Sequence, residues 1–161
     1  MALLLLGPAC GRTRPGVPAR RRTTPRLGQA VAHAQAPLVV QELLEEERLS
    51  GAGTTFQLGA CRGADAGMIF GYADARVATG LRINGRLHHL TLADSRMLEP
   101  GAGQAGLGER RLECWTSPEL QAVFDYRINA VGEDGTAFEG ELTVWSEGRK
   151  AVFSISGGSG C

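Results

Sequence analysis

Apolar and polar residues alternate along most of the chain after Thr54. Small or apolar residues occupy every second position from Leu120 to Ala130, a period of two that is typical of a half-buried β-strand. The following strand places four more such residues on one face: Phe138, Gly140, Leu142 and Val144. Because glycine-containing breaks separate these short runs, the pattern predicts about six to eight strands.

Residues 81–92 carry the clearest hairpin signal. Asn84-Gly85 lies between two apolar runs, and this dipeptide supplies the two positive φ angles of a type I′ turn. The two-residue loop predicts a register that pairs Ile83 with Arg86. In that register Leu81, Ile83, Leu90 and Leu92 share one face of the sheet.

Two further turns connect the last three predicted strands. The first is Gly132-Glu-Asp-Gly135, and the second is Glu147-Gly148. The second turn sets Leu142 opposite Phe153 and Val144 opposite Ala151. Trp145 and Lys150 then meet on the other face, at a distance that allows a cation–π contact.

A different period precedes the strands, at residues 37–49. Val39, Val40, Leu43 and Leu44 follow the i, i+3, i+4 spacing of an amphipathic helix, and Gly51 suits its C-terminal cap. The pattern therefore predicts one short N-terminal helix, which lies on the surface or closes one end of a barrel.

These elements predict an all-β, mainly antiparallel fold, either a small barrel or a strongly curved sheet that hides its edges. The chain has 161 residues, enough for one domain. Its 23 glycines exceed the usual share and agree with a turn-rich β protein. We expect a monomer or a weak dimer.

Charge divides the chain into two parts. Residues 1–36 contain six arginines and no acid, whereas residues 37–161 hold seventeen acids against eleven bases, a formal charge of −6. We therefore interpret 1–36 as a disordered leader or tether and 37–161 as a single folded domain. Over the whole chain the seventeen basic and seventeen acidic residues balance, and this formal neutrality argues against nucleic acid as a partner. No apolar run is long enough for a transmembrane helix.

The leader begins with a short apolar stretch that runs into small residues and then Cys10. This pattern resembles the end of a bacterial lipoprotein signal, in which Cys10 takes the lipid. It predicts export to the periplasm or anchoring at the outer membrane. The alternatives are an arginine-rich organelle transit peptide and a mis-started cytoplasmic chain.

Three cysteines lie in the β region, at positions 61, 114 and 161. In an oxidising compartment we expect one disulfide, either Cys61–Cys161 or the competing pair Cys61–Cys114. The first would close a loop of about 100 residues and leave Cys114 unpaired. No C-x-x-C or H-x-x-x-H spacing indicates a metal site.

Neither the spacing nor the motifs indicate catalysis. His88 and His89 are adjacent on a strand and so point to opposite faces. The carboxylates Asp125, Glu139 and Glu141 fall on the predicted outer face, where solvated charge is ordinary. Because no nucleophile motif or phosphate-binding loop is present, we expect a protein that is not an enzyme and needs no cofactor.

The segment Trp145-Ser-Glu-Gly-Arg-Lys-Ala151 is similar to the Trp-x-Lys-Gly-x-x-Ala segment of bacterial inhibitors of C-type lysozyme, both membrane-bound and periplasmic. The resemblance extends to Asp134-Gly135-Thr-Ala-Phe138, where the family carries Ser-Gly-x-x-Tyr, and covers about 20 residues. It implies a small exported β-barrel. It also implies a bond between an early and a late cysteine, here Cys61 and Cys161.

The resemblance also implies a binding surface, and here the chain departs from the family. The motif serine and lysine that enter the lysozyme cleft correspond to Asp134 and Glu147, and a glutamate is repelled by catalytic carboxylates. We therefore expect weak, salt-sensitive binding to lysozyme without inhibition. The residues of this expected surface are Asp134, Gly135, Phe138, Trp145, Glu147 and Lys150.

The two turns have two possible arrangements on the sheet. A sharp bend at Gly140 would place Asp134 and Glu147 on one acidic ridge. Without that bend they lie at opposite ends of a strand.

Taken as a sequence, the chain predicts a non-enzymatic, exported and lipid-anchored β-barrel that binds a protein such as lysozyme or a cell-envelope component. A second hypothesis is a small-ligand carrier that uses the barrel interior or mouth, with an apolar cavity behind Phe124, Tyr126, Leu142 and Phe153. A third is a hydrolase, which would need a buried carboxylate or His88 in a cleft.

Overall fold

The computed structural model describes residues 36–60, 67–74, 77–103 and 106–160. Within these ranges the chain forms two antiparallel sheets and one short 3₁₀ turn, Glu45–Glu47. The strands are β1 (Val40–Gln41), β2 (Gly53–Leu58), β3 (Met68–Asp74), β4 (Val77–Ala78), β5 (Gly80–Ile83), β6 (Arg86–His89), β7 (Thr91–Glu99), β8 (Arg110–Thr116), β9 (Leu120–Gly132), β10 (Gly135–Ser146) and β11 (Arg149–Gly160).

The larger sheet has eight strands in the order β4-β3-β2-β11-β10-β9-β8-β7 and curls into a half-barrel. The predicted all-β, antiparallel and strongly curved fold is therefore confirmed. The smaller sheet has the order β1-β5-β6. Its apolar residues Val40, Leu81 and Ile83 belong to the same core cluster as the inner face of the half-barrel.

The predicted hairpins have the registers expected from their turns. Ile83 pairs with Arg86, and Asn84 and Gly85 have φ values of 50° and 84°. Across the last hairpin Leu142 pairs with Phe153. Two-residue turns with positive φ match the twist of antiparallel strands, which is why local sequence was sufficient to determine these registers.

The period of two along β9 ends earlier than predicted. Ile128 is buried, but Ala130 is exposed. Phe138 of β10 pairs with Ile128 while Ala137 pairs with Ala130, so Asn129 is an extra residue in the ladder. This β-bulge reverses the side-chain alternation at the end of β9.

The predicted N-terminal helix is wrong. Residues 37–49 instead contain β1 and the 3₁₀ turn. Val40 pairs with Ile83 of β5. The backbone N–H of Asn84 donates to the carbonyl of Val39 at 2.9 Å, and the Val39 N–H donates to the Asn84 side-chain oxygen at 2.9 Å. Val39 and Leu44, two members of the predicted helical stripe, are exposed. A helix of 13 residues is only marginally stable by itself, so the strand pairing with β5 outweighs the helical period of this segment.

The expectations for the leader lie outside the described residues. They concern residues 1–35, including Cys10 and its lipid, and the disulfide partners Cys61 and Cys161. Cys114, which is described, has a free thiol, and the Gln121 side chain donates to its sulfur at 3.3 Å. Among the described residues, no helix has the length and apolarity needed to cross a bilayer.

Candidate functional site

The half-barrel has two ends, which we name by the turns that lie there. The "open end" carries the turn between β9 and β10, at Glu133 and Asp134. The "turn end" carries the turn between β10 and β11, at Glu147 and Gly148. The two turns are separated by the whole of β10, whose twelve residues have an unbroken register with β11 and span about 36 Å at 3.3 Å per residue. Asp134 and Glu147 therefore form no joint ridge.

Three of the predicted binding residues lie together at the turn end. Lys150 Nζ lies 5.4 Å from the centre of the Trp145 ring, which confirms the expected cation–π contact. Glu147 has a φ of 51° in the neighbouring turn, and its carboxylate contacts the Arg149 guanidinium. Arg149 also donates to the carbonyl of Ala36 at 2.7 Å.

A cavity of about 500 Å³ opens beside these residues, where the Asn84, Glu119 and Glu147 turns meet. Its walls carry both signs of charge, because Arg86 lies 2.9 Å from a carboxylate oxygen of Glu119. His88 Nδ1 lies 3.8 Å from the same oxygen. Burial, followed by the nearby charge of Arg86, lowers the pKa of His88, so this histidine is neutral at pH 7.

The other three predicted binding residues lie toward the open end. Asp134 and Gly135 line a groove of about 780 Å³ that is floored by small residues. Phe138, in contrast, is 2% exposed and packs 4.6 Å from the Tyr126 ring. The alternation along β10 turns this side chain toward the interior, so Phe138 does not share the exposed surface of the two turns.

The carboxylates expected on the outer face lie there. Glu139 and Glu141 are exposed, and Asp125 accepts two hydrogen bonds from Arg110 at 2.8 and 2.7 Å. These groups are solvated or paired at the surface. They provide no special chemistry.

One carboxylate lies in the interior, where the sequence had led us to expect none. Glu113 is 3% exposed and lies on the inner face of β8. The hydroxyls of Tyr72 and Tyr126 donate to its Oε1 at 2.7 and 2.8 Å. The indole nitrogen of Trp115 donates to its Oε2 at 3.2 Å. We call these four residues the Glu113 cluster.

Alternation along β8 creates the cluster. Trp115, Glu113 and Arg111 are separated by single residues and so point to one face, while Cys114 points to the other. Tyr126, on the neighbouring strand β9, pairs with Arg111 of β8. The sequence does hold a recognisable signal, since a glutamate two residues before a tryptophan lies on the same face of a strand as the tryptophan.

The tyrosines are held in their neutral form. Burial, and then the negative charge of Glu113, raises the pKa of Tyr72 to about 12. The same causes raise the pKa of Tyr126. Both hydroxyls therefore remain protonated and keep their role as hydrogen-bond donors to Glu113 throughout the physiological pH range.

A small pocket lies beside the cluster on the inner side of the open end. Its volume is about 130 Å³, and we call it the mouth pocket. The lining combines one guanidinium, several hydroxyls and two apolar side chains: Thr54, Arg111, Tyr126, Ile128, Thr136, Phe138 and Ser159. Thr136 and Ser159 also line the groove, so the two cavities share a border.

Arg111 is the charged residue of this lining. Within the part of the chain that the structure describes, its side chain makes one bond, through Nε to the carboxylate of Glu109. Glu109 is 6% exposed, and this buried carboxylate holds the Arg111 side chain in one orientation. No hydrogen bond of its two Nη groups is found within the described ranges, and Arg111 lines the pocket.

Metal binding finds no support in the geometry of the described ranges. No group of three His, Cys, Asp or Glu side chains among those residues is arranged to hold an ion.

Comparisons of the chain with protein families, with curated protein sequences and with solved structures find no match. Any functional assignment therefore depends on the geometry of the described residues.

Proposed function

We propose that this chain is a binding protein and that its ligand is a small polar molecule held in the mouth pocket. The observation that carries the proposal is the buried carboxylate of Glu113 beside a pocket whose lining contains the Arg111 guanidinium. An ionised group away from water is costly unless it is well solvated by the protein, and such groups concentrate at functional sites.

The Glu113 cluster supports the pocket as a positioning device. Both carboxylate oxygens already accept hydrogen bonds, from two tyrosines and one tryptophan. This engagement favours a role in fixing the side chains around the pocket over a role in moving a proton to or from a substrate. Tyr126 belongs to both the cluster and the lining, so it connects the two.

Packing of the interior favours the mouth over the barrel centre as the ligand site. Phe124 and Leu142 are fully buried, and the Phe124 ring lies 4.5 Å from Phe56 and 5.1 Å from Phe70. Aromatic rings therefore occupy the region where a carrier with a central apolar cavity would hold its ligand. The ligand that we propose enters only the mouth pocket at the open end.

A screen of small molecules by ¹H–¹⁵N NMR tests the proposal. Ligands should shift the backbone amides of Thr54, Thr136 and Ser159, and their affinity should fall when Thr136→Val removes a lining hydroxyl. The matched control is Thr143→Val, the same change on the outer face of β10. The proposal fails if a chemically diverse library produces no hits at these amides, or if both variants behave alike.

A second candidate function is binding of a protein partner at the turn end. It is favoured by the side-by-side placement of Trp145, Glu147 and Lys150 next to the 500 Å³ cavity. The similarity to lysozyme inhibitors makes C-type lysozyme the partner to test, and the composition of the leader makes export part of this candidate. We expect weak binding at low salt that disappears at physiological salt.

Glu147→Lys sharpens that test, because it places a lysine where the inhibitor family has one. If the turn end is a lysozyme-binding surface, the variant gains affinity and inhibits lysozyme. Glu139→Lys makes the same charge change on β10, away from the turn end, and is the control. If both variants gain the same affinity for lysozyme, the gain comes from net charge alone and not from the turn end. If no form binds lysozyme, lysozyme is not the partner.

A further inference from the structure

The chemistry of the mouth pocket identifies a class of ligand. We infer that the pocket binds a small monocarboxylate, with the ligand's carboxylate on the Nη groups of Arg111 and its short apolar part against Ile128 and Phe138. This inference rests on the proposed small-ligand function and adds the ligand's charge, size and orientation to it.

The hydrogen-bonding groups of the lining favour a ligand that accepts hydrogen bonds. Arg111 can only donate, and its Nη groups present the parallel N–H bonds that match a carboxylate. Thr136 and Ser159 share one hydrogen bond at 2.8 Å, in which one hydroxyl donates and the other keeps its proton for a ligand. The hydroxyl of Tyr126 is already committed to Glu113.

Among the described residues around the pocket, Arg111 attracts an anion, whereas Glu109 and Glu113 oppose it. Of the described residues that line the pocket, Arg111 is the only formally charged one, whereas Glu113 lies behind Tyr126 and accepts hydrogen bonds from three donors. Glu109 contacts the guanidinium at Nε and offsets part of its charge. A ligand carboxylate beside the Nη groups is therefore attracted by Arg111, but less strongly than by an arginine that has no acidic partner.

Size limits the ligand to a short chain. At about 30 Å³ per water molecule, the pocket of 130 Å³ holds about four waters, a volume close to that of acetate, propionate or butyrate. The buried side chains of Ile128 and Phe138 provide apolar surface for two or three methylene or methyl groups. Longer ligands would extend past Thr136 and Ser159 into the groove.

Butyrate and butyramide form a matched pair of probes, because they have the same shape and differ in charge. In ¹H–¹⁵N titrations at constant ionic strength, butyrate should shift the amides of Thr54, Thr136 and Ser159 with a Kd between micromolar and millimolar. Butyramide should bind at least tenfold more weakly, since it lacks the charge-assisted pair with Arg111.

Three variants of the intact chain identify the group responsible. Arg111→Gln should weaken butyrate binding about tenfold or more and leave butyramide little changed. Glu109→Gln should tighten butyrate binding severalfold, because it removes the charge that offsets Arg111. Arg110→Gln is the control, since this neighbouring arginine points to the outer face and pairs with Asp125.

The outcomes separate the ligand class from the function. Equal binding of butyrate and butyramide overturns the carboxylate assignment but leaves a small-ligand site in place. If neither probe shifts the lining amides, the carboxylate assignment is also wrong, and the library screen decides separately whether the pocket binds any small molecule. Loss of butyrate binding in Arg110→Gln but not in Arg111→Gln would place the anion at the outer surface instead.

Discussion

The two tyrosines of the Glu113 cluster provide a quantitative test of the interior network. Tyr72→Phe and Tyr126→Phe each remove one hydroxyl that donates to the same oxygen, at 2.7 and 2.8 Å. A hydrogen bond to a charged group contributes about 1.5 to 3 kcal/mol, so each variant should lose about 2 kcal/mol of unfolding free energy. The double variant leaves Oε1 of Glu113 without either of these donors. It should therefore lose about 5 kcal/mol, roughly 1 kcal/mol more than the sum.

Urea denaturation followed by circular dichroism measures these losses, and Glu113→Gln supplies the control background. There the charge is absent, so each tyrosine substitution should cost no more than about 1 kcal/mol. The reasoning is refuted if each single substitution costs less than about 0.5 kcal/mol. It is also refuted if the costs are the same with Glu113 and with glutamine at that position.

Three further results are expected. Stability should fall as pH rises from 10 to 12, because the pKa of Tyr72 is raised from 10.0 to about 12 in the folded state; Tyr72→Phe should show a shallower decline in alkaline melts. Gly157→Ala should destabilise the fold by about 3 kcal/mol in urea titrations, since its Cβ would collide with the carbonyl oxygen of Thr55 on β2 and lie 2.5 Å from the Phe138 ring, and an unchanged midpoint would contradict the close packing there. Peptide mapping without reduction should recover a Cys61–Cys161 peptide from exported material, and a peptide containing Cys61 and another cysteine would reverse the pairing.

Local sequence was sufficient for the features that depend on neighbours in the chain. The Asn84-Gly85 and Glu147-Gly148 turns determine the registers of their hairpins, and alternation along β9 and β10 identifies the core face. The 3.6-residue period at 37–49 was misleading, because it carries no information about the strand with which residue 40 pairs. Tertiary pairing outweighs a weak local preference of this kind.

The Glu113 cluster required distant information. Tyr72 is 41 residues from Glu113 along the chain and Tyr126 is 13 residues from it. A period-two pattern scores a glutamate as an outward residue, so the sequence analysis considered only carboxylates on the outer face. The hydrogen-bond donors that allow this charge to be buried become visible only when β3, β8 and β9 are placed side by side in the half-barrel.

Nuclear Overhauser effects between butyrate and the protein test the central claim most directly, because they locate the ligand. If the mouth pocket is the binding site, the methyl group of bound butyrate shows contacts to Ile128 and to the ring protons of Phe138, and Arg111→Gln weakens them at the same butyrate concentration. Saturable binding with contacts only to outer-face residues such as Arg110, or no contact to the pocket at any butyrate concentration, would contradict the account.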